Sequence, residues 1–122
     1  MIEVALSLLT DGSEVLEAII VDNANHRNIL CYPCLTDMDK INPIVDMVVK
    51  LSKEELMEPI DDYILVALDK RQVVAMRLPN DKILVLVICK RRNAERVIRG
   101  IGKVLRELIE MAQEKEYGNE LL

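Results

Sequence analysis

Between residues 63 and 112, three short apolar segments follow one another and run directly into one long amphipathic pattern. The segments are Tyr63 to Leu68, Gln72 to Leu78 and Ile83 to Ile88, joined by Asp69-Lys70-Arg71 and Pro79-Asn80-Asp81-Lys82. Joins this short allow only hairpins, so the three strands are expected to be antiparallel neighbours. The pattern after them places Ala94, Val97, Ile98, Ile101, Val104, Leu105, Leu108, Ile109 and Ala112 on one stripe, as a helix covering a sheet requires.

The first half adds two strands and two helices. Ile2, Ala5, Leu6 and Leu9 have helical spacing, and Thr10-Asp11-Gly12 closes that helix. Val15 to Asp22 is almost continuously apolar, with Glu17 the exception, as expected of a central strand covered on both faces. Residues 23–27 read as a turn, after which Asn28 to Tyr32 forms a second strand stopped by Pro33. Asn42-Pro43 fits a cap followed by proline at the first helical position, which predicts a helix from Pro43 to Met57. At 100° per residue, its apolar side chains from Ile41 to Leu51 fill an arc of about 200°, twice what covering one sheet requires. Either the helix is sunk in its own domain or its flank at Ile44, Met47 and Leu51 meets a second subunit.

The order α-β-β-α-β-β-β-α predicts an α+β sandwich around a five-stranded antiparallel sheet, with residues 1–122 forming a single domain. At 122 residues the chain can bury about two thirds of its unfolded surface, so no staple is needed. No apolar run approaches the roughly 18 residues of a membrane span. The start, Met1-Ile2-Glu3-Val4, lacks a basic segment before an apolar one, and a cytoplasmic protein is expected.

With a net charge of −5, no Phe, no Trp and three Tyr, the chain offers nucleic acid neither attraction nor stacking platforms. Residues 90–106 are the exception in sign. Lys90, Arg91, Arg92, Arg96, Arg99, Lys103 and Arg106 face one acid, Glu95, giving a local +6 and leaving about −11 elsewhere. Arg96, Arg99, Lys103 and Arg106 share an arc of about 80° on the helix's solvent side. Positive charge in a first helical turn opposes the macrodipole, so these arginines are candidates for binding an anionic partner. The competing explanation is a solvated face balancing the acidic remainder.

Chemistry has few candidates. Cys31-Tyr32-Pro33-Cys34 places two thiols at a spacing suited to a disulfide, redox exchange or half a zinc site. In a thioredoxin-type motif a helix would begin at once, whereas Leu35 to Ile41 intervenes here before the predicted cap. Gly100 and Gly102 lie inside a helix, no phosphate loop is present, and Asp61-Asp62 has no basic partner in sequence reach. No nucleophile and base can be assembled, and neither an enzyme nor a cofactor is expected.

This order of elements resembles the Roadblock family of dynein light-chain-like proteins and small-GTPase regulators, over residues 2–112. The resemblance is carried by Val15-Leu16-Glu17-Ala18-Ile19-Ile20-Val21-Asp22, by the three-strand meander and by the last helix. It implies a profilin-like fold and a homodimer whose sheet continues across a two-fold axis, with the second helices packed together as a platform for a Ras-like GTPase. The edge strand at that axis would hold Tyr63, Ile64, Leu65 and Val66. The implied sheet order sets Cys31 and Cys89 at one end, about 10 Å apart, and His26 at the other, so no metal site is expected. A small-ligand sensory domain of the same shape, or a thiol oxidoreductase using Cys31 and Cys34, are the alternatives.

Overall fold

A computed structural model of the chain describes residues 2–22, 28–107, 109 and 110, without the side chains of 2–5, 28, 29 and 80. Helix α1 (Ile2–Leu9) precedes strands β1 (Val15–Asp22) and β2 (Asn28–Tyr32). Then come α2 (Met38–Lys53), β3 (Tyr63–Ala67), β4 (Arg71–Leu78), a single 3-10 turn (Pro79–Asp81), β5 (Lys82–Cys89) and α3 (Ala94–Gly100). The strands form one five-stranded antiparallel sheet in the order β2-β1-β5-β4-β3. The α+β sandwich expected from the sequence is therefore present, with β1–β2, β3–β4 and β4–β5 each paired as expected.

Alternation along the strands divides the core in two. On one face, Ala18, Ile20, Met76, Leu84 and Leu86 meet Leu6 and Leu9 of α1 and Val97 of α3. On the other, Ile19, Val21, Val73, Ala75 and Val85 meet Ile41, Val45 and Val48 of α2. β5 is buried from Ile83 to Ile88 because it is covered on both faces and hydrogen-bonded on both sides. Asp22 stands directly opposite Lys82 in this ladder, and their charged groups approach to 3.5 Å.

Helix α2 departs from the expected bounds at both ends. It starts at Met38, where the Asp37 carboxylate accepts the Asp39 N–H at 3.0 Å, five residues before the Asn42-Pro43 signal. Pro43 is tolerated inside because it lies early and exposed, costing only the donor that would have met the Asp39 carbonyl. The helix stops at Lys53, well before Pro59. There Glu55 adopts φ 57°, and the N–H groups of Glu55 and Leu56 turn back to the carbonyls of Ser52 and Leu51 at 3.2 and 2.9 Å, a Schellman closure.

The last helix is likewise not one uninterrupted element. α3 ends at Gly100, Ile101 forms a turn between two glycines, and helical backbone resumes over 102–107. The Ile101 N–H still reaches Val97 and the Leu105 N–H reaches Ile101, so the apolar stripe stays aimed at the sheet. Strand register also revises the cysteine geometry. Cys31 pairs with Ile19 and is thus level with Val85, four residues short of Cys89 and about 16 Å from it.

Candidate interaction surfaces and the cysteine loop

The β3 edge is the first surface. β3 pairs with β4 on one side only, from Tyr63 opposite Met76 to Ala67 opposite Gln72. Its five residues carry no charge, and Leu65 is 45% exposed. Ile64 and Val66 turn toward the α2 layer, while Tyr63 joins the α1–α3 layer. Burial and the nearby Glu95 carboxylate hold the Tyr63 hydroxyl above its ordinary range. On α2, Ile44 is buried in the domain's own core, Leu51 is half-buried and Met47 is 49% exposed. The wide apolar arc of this helix thus has two causes: most of it is sunk, and Met47 is left over.

The second surface is basic. Lys90, Arg91, Arg92, Arg96, Arg99, Lys103 and Arg106 are all exposed. Gln72 builds the turn that presents them, donating from Nε2 to the carbonyls of Cys89, Lys90 and Arg92 at 3.1, 3.3 and 2.7 Å. Lys90 is committed to this turn through the Asp69 carbonyl at 2.6 Å. Asn93 then caps α3 by accepting the Arg96 N–H at 3.1 Å. Glu14, Arg91, Arg92, Asn93, Arg96 and Val97 line a surface pocket of about 340 Å³. Arg99, Lys103 and Arg106 follow along the chain and are exposed as well.

The third feature lies at the other sheet edge. Cys31 and Cys34 are joined as a disulfide, with Cα atoms 5.2 Å apart. Behind them is Glu17, 1% exposed although charged. Its carboxylate accepts the N–H groups of Leu35 and Thr36 at 2.8 and 3.0 Å and the Thr36 hydroxyl, and Arg71 donates to that hydroxyl at 3.3 Å. A lone carboxylate in an apolar strand was the visible signal; its partners, 18 and 19 positions away in an irregular loop, were not. Cys89 is a free thiol, and His26 lies outside the described residues. Among the described residues, no group of three or more His, Cys, Asp or Glu could hold a metal ion, and no helix is long and apolar enough to cross a membrane.

No protein-family model matches the sequence, and no curated protein matches it either. Solved structures do match. A Roadblock/LC7 domain from Streptomyces avermitilis superposes with a TM-score of 0.65 at 9% identity, over 91% of this chain and 97% of that one. The fold is the Roadblock/LC7 fold. Myxococcus xanthus MglB is similar at a TM-score of 0.70 and 15% identity, over 93% of this chain and 95% of its own. MglC from the same organism gives 0.61 and 12%, over 88% and 96%. Each alignment takes in nearly the whole partner, so the Roadblock likeness extends over the α1-to-α3 architecture and is not limited to the β3–β5 meander.

Proposed function

We propose that this chain is a non-catalytic, homodimeric interaction module that scaffolds or regulates a small Ras-like GTPase in the cytoplasm. The observation that carries this is the bare, uncharged edge of β3 beside the exposed flank of α2. An unpaired apolar edge is an aggregation hazard unless something covers it, and a two-fold copy of the same strand covers it with matching hydrogen bonds. Tyr63, Ile64, Leu65 and Val66 would then form the seam, with Met47 and Leu51 facing their symmetry mates. Ile44 would support that face from within.

A continuous sheet backed by paired helices presents a broad platform, and the resemblance to Roadblock regulators makes a Ras-like GTPase the partner of choice. Arg91, Arg92, Arg96, Arg99, Lys103 and Arg106 supply the anion-facing part of the contact, since guanidinium groups pair carboxylates in bidentate geometry. Light scattering at micromolar concentration is expected to give twice the 13.9-kDa chain mass. Capture of a GTPase from the host by the immobilised dimer, dependent on the bound nucleotide, tests the second part. A monomer, or capture indifferent to nucleotide, would overturn the corresponding part.

A further inference from the structure

The Cys31–Cys34 pair has a setting unlike that of a structural staple. It closes a loop of four residues, the kind of closure that removes little chain entropy, and it belongs to a domain whose two apolar layers already hold it together. Cys34 is exposed and Cys31 half-buried, so one sulfur is open to an incoming thiolate. Tyr32 and Leu35, 46% and 65% exposed, flank the bond with apolar surface on which a partner's thiol-bearing segment can rest. The loop is anchored independently of the sulfurs, because Glu17 holds Leu35 and Thr36 from beneath.

We propose that Cys31–Cys34 is a reversible redox site that exchanges with a dithiol, either a small molecule or a dithiol protein. The proposal does not depend on the GTPase partner. A thiolate of the dithiol attacks Sγ of Cys34, the Cys31–Cys34 bond breaks, and Cys31 leaves as a thiolate that takes a proton. The second thiol of the dithiol then attacks the mixed disulfide and releases Cys34. Two electrons and two protons have moved to the protein, and the dithiol has become a disulfide. With the bond formed, the Cys31 carbonyl lies 3.4 Å from Cys34 Sγ, close enough to accept the S–H that reduction would create. Because Glu17 keeps its hold, the change is confined to the segment between the end of β2 and the Asp37 cap of α2. In a reducing compartment, disulfides that form are transient or redox-sensing, which suits an accessible pair of this kind.

The test uses the full chain equilibrated in dithiothreitol buffers of graded reduced-to-oxidised ratio, quenched by alkylation and mapped by tryptic peptide mass. Cys31 and Cys34 lie in one peptide and Cys89 in another, so each state is read separately. The expected result is a two-thiol change in the first peptide with the same midpoint from the oxidised and the reduced side. Circular dichroism should stay unaltered, and NMR shifts should be confined to residues 30–38. A pair that stays dithiol throughout, that resists reduction until the chain unfolds, or whose reduction unfolds the chain would overturn the proposal. To separate the two reductant sources, the same titration is repeated with a thioredoxin-type protein. Reduction by dithiothreitol alone assigns the small-molecule partner, and reduction by both assigns the protein.

Discussion

The carboxylate of Glu17 accepts the backbone N–H of Leu35 at 2.8 Å across 18 residues of sequence, tying a central strand to the loop that opens α2. A carboxyl group this buried is matched by donors: two N–H groups and the Thr36 hydroxyl, which Arg71 in turn supports. Replacing it by Leu keeps the volume but leaves those donors facing hydrocarbon. Glu17→Leu is expected to cost about 2–4 kcal/mol in urea unfolding, with Glu17→Gln in between because one amide oxygen still accepts.

The end of α2 is strained in a correctable way. Glu55 sits in the left-handed region at φ 57°, where a side chain costs roughly 1 kcal/mol and glycine costs little. Glu55→Gly should therefore raise stability by about 0.5–1 kcal/mol. An increase in the midpoint of chemical unfolding at unchanged slope is the sign to look for.

Two ionisable groups give opposite pH signatures. For Asp11, burial works against the carboxylate, but its Oδ1 accepts the N–H groups of Ser13, Glu14 and Val15 and the net effect lies below the ordinary value of 3.8. Its contribution is thus complete above pH 3.8 and is lost as pH falls through the lower folded value. Tyr63 is raised above 10.0 by burial and by Glu95, so its contribution is complete below that pH and is lost as pH rises past the folded value. Asp11→Asn should flatten the acid limb of a stability profile and Tyr63→Phe the alkaline limb. NMR titration of each group reads the shifts directly.

The proposed β3 seam yields a separable pair of variants. Leu65→Lys places a charge on the β3 edge strand and, on the proposed two-fold pairing, should weaken self-association at least tenfold, while the folded monomer persists because that side chain is already half in water. Leu84→Ala, in the centre of the sheet, should instead cost about 2–5 kcal/mol of fold stability. Sedimentation and urea unfolding of both variants distinguish an interface residue from a core one.

What was legible beforehand followed from local physics. β1 and β2 have the predicted ends because β-branched runs and Pro33 leave no other choice. α2 begins at the Asp37 cap, five residues ahead of the Asn42-Pro43 signal, and so takes in the fully buried Ile41. Gly100 and Gly102 were visible, but a stripe of regular spacing concealed the turn at Ile101 between them. Helical spacing was enough to put Arg96, Arg99 and Lys103 in solvent. The contacts of Gln72 and Glu17 were beyond reach, because their acceptors and donors are backbone groups of irregular turns, which leave no side-chain pattern.

Placing β5 between β1 and β4 has a consequence for synthesis on the ribosome. The β1–β2 and β3–β4 hairpins can each form early, but no strand pairing joins them until residues 82–89 have emerged. Until then the nascent polypeptide exposes two unmatched ribbons of backbone, the period in which such chains are most open to chaperones and to mispairing. Its last third is therefore a keystone, and a truncation before Lys82 should leave two hairpins that share no strand pairing in place of one shorter sheet.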